Sequence, residues 1–494
     1  MQYYSRRVKF IHTNSDHADD FQVHPSTYNR IAQLQTSALF PSLRRLECYF
    51  GVSTSSYIFL CPSPLLDSLQ LYHFSGFEDS VVGPFLTTLS SFPQMLTRIV
   101  LCDGRISVDI LKKSLVHFKQ LRSLELSDVV FMADFSLWEV LGTLPFLENL
   151  TLVANNPASH PAHAPENSNS QSGGLRSFDA LESLQVTGSF FLIQHLLGFI
   201  DSPCLKSIQL YPRINRVHND SELEHEPEDL TPSMTIVASK WSQSLKILTI
   251  ASNDITHRNS KFLMPLADLH EMQTLILMGW RMEKNNDALR RLSWPKLKHL
   301  GLFPWPNALS PNRTFISLSN LRIIAENCHE LRELRIELDL NTIPPLDDIC
   351  SKSLCHKLDV LKLIEVHQSI TQVSLECQIQ IARHLDLNFP YLKTLKVPTG
   401  NWSGIRDLVK LCPLGRQTRS LGSNGDYFYA RYSLFLILSF ITFLQLIVVL
   451  LSKVHEWIAH KFFSLGLQSF KSFRQHLQFA PKYNTGFSRR FTST

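Results

Sequence analysis

Two histidines bracket a glutamate in the run His455-Glu456-Trp457-Ile458-Ala459-His460. A zinc-holding helix sets its two imidazoles four residues apart, where successive turns nearly eclipse. Five apart, they point about 140° away from each other, so this run is not read as a metal site. Cys350, Cys355 and His356 are close in sequence and read as an ordinary loop; His160 and His163 read as solvated. There is no Gly-rich phosphate loop, no Gly-x-Ser-x-Gly elbow and no Cys-x-x-Cys pair. No catalytic residue, cofactor or metal is expected, and the chain is not read as an enzyme.

The side chains left to do work are those that flank a repeated apolar triplet. In Leu331-Arg332-Glu333-Leu334-Arg335-Ile336 the apolar residues take positions 1, 4 and 6. The last two alternate with polar residues, as in a strand with one buried face. The preceding run places Leu321, Ile324 and Cys328 at helical spacing. One helix and one short strand form a unit, and the template recurs from Leu43, Leu66, Leu96, Leu121, Leu147, Leu181, Leu205, Leu245, Met272, Leu297, Leu331, Leu358 and Leu392. Intervals run from 23 residues (Leu43 to Leu66) to 40 (Leu205 to Leu245). The shorter ones lie in or near the range of leucine-rich repeats; the longer ones need inserted loops. Pro41, Pro145, Pro295 and Pro390 stop the helix ahead of a unit. Only Asn155 and Asn253 follow the third apolar position at the spacing of a regular asparagine ladder, which predicts an irregular solenoid.

The fold expected is therefore α/β: a curved parallel sheet on the concave face, helices on the convex face, and a C-terminal apolar helix. Residues flanking the second apolar position should point outward from the sheet. They include Arg45, Glu47, Arg98, Glu125, His299, Glu333, Arg335, Lys362 and Lys396. Loops after the strands add Trp280, Phe303, Trp305 and Trp402, of the aromatic class enriched in binding hot spots. These residues are the candidates for holding a protein partner of unknown identity. Lys and Arg are scattered and the net charge is only +5, so no nucleic acid partner is expected.

Residues 1–38 are polar and mixed and read as an N-terminal connector. The array spans 39–412, with loops expected at about 155–174 and at about 215–232, the second carrying Asp220, Glu222, Glu224, Glu226, Glu228 and Asp229. The helix Trp402–Cys412 should cap the stack. Nine cysteines in no regular framework suggest reduced thiols. Of four Asn-x-Ser/Thr sequons, Asn149 lies within a strand motif, and Met1–Lys9 has no apolar signal core.

A linker, 413–431, precedes Tyr432–Ser452, which carries no charge; Leu434 to Leu451 is apolar but for Ser439, Thr442 and Gln445. As a helix it would be about 31 Å long, enough to cross a bilayer once. Tyr427, Tyr429 and Trp457 flank it as interfacial anchors would, and the tail, 453–494, is basic. With such a span the array is expected in the cytoplasm on a single-pass anchor; without it, in the cytoplasm or nucleus.

The units Ile323–Leu334 and Phe389–Leu395 resemble the leucine-rich repeats of F-box proteins. Met234–Leu245 and Thr342–Asp347 look like the large fungal F-box/repeat families. The resemblance covers residues 1–412. It implies a substrate-recognition part whose repeats hold a protein while an N-terminal F-box docks the adaptor of a cullin-RING ubiquitin ligase. No Leu-Pro-led F-box helix is visible in residues 1–38, and Tyr3–Lys9 looks like the connector that follows one. Adaptor binding is thus expected only with an F-box upstream. The alternative is a membrane-tethered repeat scaffold with no ligase link.

Overall fold

The computed structural model describes residues 2–13, 25–34, 38–50, 55–74, 81–92, 95–104, 106–128, 135–154, 178–213, 229–252, 260–279, 293–303, 316–339, 343–344, 354, 356–364, 374–397, 404–410, 447 and 451–454. Two compact units divide the chain, Met1–Lys410 and Leu411–Thr494.

Each apolar triplet becomes a strand that begins at its position 3. In chain order these are β2 (Arg45–Tyr49), β3 (Ser68–Tyr72), β4 (Arg98–Cys102), β5 (Ser123–Ser127), β6 (Asn149–Val153), β7 (Ser183–Gly188), β8 (Ser207–Pro212), β9 (Ile247–Ala251), β10 (Thr274–Met278), β11 (His299–Phe303), β13 (Glu333–Ile336), β15 (Val360–Leu363) and β16 (Thr394–Lys396). They pair in sequence order into a 14-stranded, wholly parallel sheet whose first member is β1 (Phe10–Thr13). Two short strands stand apart, β12 (Ile316–Ser317) beside β14 (Leu338–Asp339). The stretch 1–38, read as a connector, therefore contributes a strand of the array. Its Val8-x-x-Ile11-x-Thr13 unit escapes the apolar template because position 6 is a threonine, although Val8 and Ile11 pack on the core.

Pleating explains the core. Successive side chains in a strand point to opposite faces, so positions 4 and 6 go inward together. Leu46 and Cys48, Leu124 and Leu126, Leu248 and Ile250, and Leu334 and Ile336 are all buried. Position 1 joins them just before the strand. A further core position lies three residues earlier, in Phe118, Leu144, Phe178, Leu269, Trp294, Cys328 and Phe389. Its carbonyl accepts the position-1 N–H, for instance Leu121 to Phe118 at 3.0 Å and Leu297 to Trp294 at 3.1 Å.

Asn155 and Asn253 lie outside the described residues, and the described register bonds are made by backbone. At position 2 the backbone carbonyl of each unit accepts two N–H groups from the next. Arg44 O takes Asp67 and Ser68 N–H at 2.8 and 3.0 Å, and Lys298 O takes Arg332 and Glu333 N–H at 2.8 and 2.9 Å. The same pair of bonds recurs from Lys9 to Asp359. It satisfies buried backbone groups without any side chain, so connections of very different length can join the same sheet.

Opposite the sheet's open face lie the connecting helices: α3 (Gly83–Ser90), α4 (Val108–Leu115), α5 (Phe135–Leu141), α6 (Phe190–Phe199), α7 (Thr231–Trp241), α8 (Leu318–Asn327) and α9 (Leu375–Asn388). The N-terminal stretch also holds α1 (Gln2–Ser5) and α2 (Pro25–Leu34). Among the described residues two connections are 3-10 helices rather than α-helices, Ser55–Leu60 and Ser260–Asp268; the second contains Pro265, which cannot donate an intrahelical bond. Helix α7 begins inside the acidic stretch expected to be a loop to residue 232. Pro232 sits in its first turn, and Asp229 Oδ1 accepts the Thr231 N–H at 2.9 Å. Residues 155–174 and 215–228 lie outside the described residues. Trp241 Nε1 donates to Ser202 O at 2.9 Å and Trp294 Nε1 to Leu266 O at 2.9 Å, tying neighbouring units. Lys240 Nζ reaches the Gly198 and Ile200 carbonyls at 2.6 and 2.7 Å, a cation at the C-terminal end of α6.

The helix expected at Trp402–Cys412 is present over 404–410, where Ile405 and Val409 are buried. Of the uncharged segment, Tyr432, Leu434 and most of the rest lie outside the described residues; Ile447 and the exposed Leu451 and Ser452 are helical. Among the described residues no helix is long and apolar enough to cross a membrane.

The C-terminal units bury two imidazoles. His356 Nε2 pairs with the Cys328 carbonyl at 2.8 Å and faces the Phe389 ring; His384 Nε2 pairs with the Pro344 carbonyl at 2.9 Å. Burial lowers the pKa of both, and His329 and Arg332 lower that of His356 further, against the opposing carbonyl bonds. A folded pKa below the unfolded one means the unfolded chain takes protons first as pH falls. Stability should thus be fullest above about pH 6.5 and decline below it, by up to about 1.4 kcal/mol per pH unit for each histidine. Thermal melts at about pH 8 and about pH 5.5 should show this decline, and a His356→Gln/His384→Gln chain should flatten it. An equal decline in that double variant would assign the effect to other groups.

Candidate protein-binding face

Alternation that buries positions 4 and 6 leaves positions 3, 5 and 7 on the other side of the sheet. Strand register aligns them into rows. One row runs His12, Glu47, Gln70, Val100, Glu125, Thr151, Gln185, Gln209, Thr249, Ile276, Gly301, Arg335, Lys362 and Lys396. Strands sit about 4.8 Å apart whereas packed helices need about 8–10 Å. A stack of such units should therefore bend with the sheet inside, making this the concave face.

Every expected outward residue that is described lies on this face. Arg45, Arg98, His299, Arg335 and Lys396 are exposed; Glu47, Glu125, Glu333 and Lys362 are half-buried. Trp280, Trp305 and Trp402 lie outside the described residues. Register does not gather the candidates into one site. It divides them into an N-terminal group on β2 to β5 and a C-terminal group on β11 to β16.

At the N-terminal end the face is aromatic. Tyr49 and Tyr72 stack with ring centroids 4.5 Å apart, and the His12 ring meets Tyr49 edge-on at 5.6 Å. Glu47 pairs with His12 Nδ1 at 3.4 Å and accepts the Tyr49 hydroxyl at 3.3 Å. Tyr72 donates to Gln70 Oε1 at 2.8 Å, and Tyr211 to Gln209 Oε1 at 3.1 Å. A tyrosine at position 7 thus bonds the Glu or Gln at position 5 of its own strand three times over. Burial foremost, with nearby Tyr49, Cys102 and carboxylates, pushes the Tyr72 phenol up to about 12, so it stays a neutral donor. Triplet reading missed these tyrosines; the signal was Glx-x-Tyr in Glu47-Cys48-Tyr49, Gln70-Leu71-Tyr72 and Gln209-Leu210-Tyr211.

At the C-terminal end the face is charged. Glu333 accepts from Arg335 Nε at 2.7 Å and from Lys362 Nζ, and His299 Nδ1 stands 3.6 Å away. The Lys362 bond, ahead of the Arg335 bond and charge, holds the Glu333 carboxyl down at about 2, against partial burial.

Buried thiols behave as core. Burial raises the pKa of Cys61, and lifts Cys328 to about 12. No group of metal-ligating residues occurs among the described residues; His455, His460, Cys350 and Cys355 lie outside them. His356 is spent on a backbone carbonyl.

The repeated triplet strand, the continuous parallel register and the one-sided placement of helices define a solenoid of the leucine-rich-repeat kind. No protein-family profile matches the sequence, and no curated protein matches it. Among solved structures, an internalin from Listeria monocytogenes is similar at 15% identity over 78% of this chain and 92% of its own, with a TM-score of 0.34. A chain of the yeast Rad7–Elc1 complex is similar at 13% identity, over 77% and 86%, with a TM-score of 0.35. The leucine-rich-repeat protein LegL7 from Legionella pneumophila is similar at 13%, over 70% and 90%, with a TM-score of 0.34.

Proposed function

We propose that the chain is a non-catalytic protein-interaction module that holds a protein partner on the open face of its sheet. One observation supports this above the others. Fourteen strands present a continuous face with charged, amide and aromatic side chains, while the helices occupy the opposite side. A single unit buries too little to fold alone, so a long stack gains its stability from neighbours and leaves this face unused by the core.

The test is site-specific photocrosslinking with a benzophenone amino acid at Gln209, mid-face, and at Ser239 on α7 as the control. A stoichiometric protein adduct from native extract is expected at Gln209 and not at Ser239. Adducts at Ser239 alone would move binding to the helices; none at either would remove the reading.

Within this reading, the finer role is substrate recognition in the manner of an F-box ubiquitin-ligase receptor. It is supported by the repeat units Ile323–Leu334 and Phe389–Leu395 and awaits co-purification with a cullin-RING adaptor. The uncharged run Tyr432–Ser452 favours a second reading, a repeat scaffold tethered to a membrane with the array on the cytoplasmic side. Carbonate extraction of full-length chain separates the two.

A further inference from the structure

Nowhere in the position-5 row except at its C-terminal end do like charges stand in neighbouring strands. There Arg335, Lys362 and Lys396 are register partners on β13, β15 and β16. Adjacent strands lie about 4.8 Å apart, and like charges directly opposite each other oppose folding. Among the described residues, Glu333 stands against them. Glu333 bonds Arg335 and Lys362, while Lys396 has no acidic partner among the described residues. Just ahead of the same strands the imbalance repeats: Asp359 is shared by Arg332 at 3.6 Å and Lys393 at 2.8 Å. Among the described residues at positions 2, 3 and 5 of these units, five cations thus stand beside two carboxylates, both held ionised.

Resting on the reading that this face binds protein, we propose that its C-terminal end takes an acidic, extended segment of the partner, rich in Asp and Glu. The three cations span about 10 Å, the length of about three extended residues. Two or three carboxylates would reach Lys396, Lys362 and Arg335, the last two by competing with Glu333. The described side chains of these rows include no aromatic ring on which a nucleic acid base could stack, which favours a peptide over a nucleic acid.

Glu333 supplies a discriminating test. It is the internal competitor, so its removal should strengthen the site rather than weaken it. A fluorescein-labelled peptide of alternating Glu and Gly is titrated into the full chain at low salt, with a Gln-Gly peptide and an oligothymidylate as parallel probes. The Glu peptide is expected to bind and the Gln peptide not, with affinity falling as salt rises. Lys362→Ala and Lys396→Ala should each weaken binding about threefold to tenfold, and Glu333→Gln should tighten it by a similar factor. Circular dichroism confirms that each variant is folded. Unchanged or weaker binding by folded Glu333→Gln, or tighter binding of the oligonucleotide, overturns the assignment. Loss of the Gln209 photocrosslink removes the face itself. A crosslink that persists while the Glu peptide fails removes only the acidic segment.

Discussion

Leu334→Asp should unfold the C-terminal units, while Arg335→Ala, one residue away, should leave them intact. Leu334 is fully buried, in register with Leu300 on one side and Leu361 on the other. Removing the leucyl side chain forfeits roughly 1.5–3 kcal/mol of burial. A carboxylate in its place would sit within the apolar core cluster, and its desolvation adds several kcal/mol more. The sum, about 5 kcal/mol or more, rivals the whole stability of a typical domain. In a stack each unit leans on its neighbours, so damage at β13 spreads to β11 and β15 before it spreads farther. Limited proteolysis should open the chain first around residues 300–397, and thermal unfolding should acquire an early phase. Arg335 is exposed and among the described residues bonds Glu333, an ion pair of the class worth about 0–1 kcal/mol. Melting of Leu334→Asp alongside the parent chain would contradict the inward placement of position 4.

That pair of neighbours shows which links of the fold are legible in sequence. Inward and outward residues are readable because a strand alternates with period two and a leucine at the wrong phase would be exposed. All thirteen triplets accordingly yield a strand of one sheet. What holds the strands in register is not readable, because the doubled bond from Arg44, Lys298 and the other position-2 carbonyls is made by backbone alone. Threonine at Thr13 hid β1. The division of the face into an aromatic and a cationic end was hidden for another reason. Tyr49 and Tyr72 lie 23 residues apart in sequence, as Arg335 and Lys362 lie 27 apart, and only register makes them neighbours.

Register also dictates the second large effect, at Gly279. At position 8, directly after β3, β4, β5 and β10, the chain turns through the left-handed region. His73, Asp103 and Asp128 occupy it with φ of 56°, 54° and 55°, and Gly279 with φ of 81°. Asp is among the side chains that tolerate this left-handed region best. At Gly279 conformation is the smaller obstacle. A Cβ there would lie 1.8 Å from the Ser252 carbonyl oxygen, which is backbone and cannot rotate away. Ser252 is itself fixed, since its N–H donates to Met278 O at 3.0 Å. Gly279→Ala must therefore push β9 and β10 apart at their ends as well as adopt a strained φ. Strain of about 1–2 kcal/mol and overpacking of about 1–3 kcal/mol together predict a loss of about 3 kcal/mol. Asp128→Gly, at the same structural position, should shift stability by less than about 1 kcal/mol. Chemical denaturation of the two variants beside the parent chain measures the difference, and a Gly279→Ala chain as stable as Asp128→Gly would show that the two strand ends do not approach this closely.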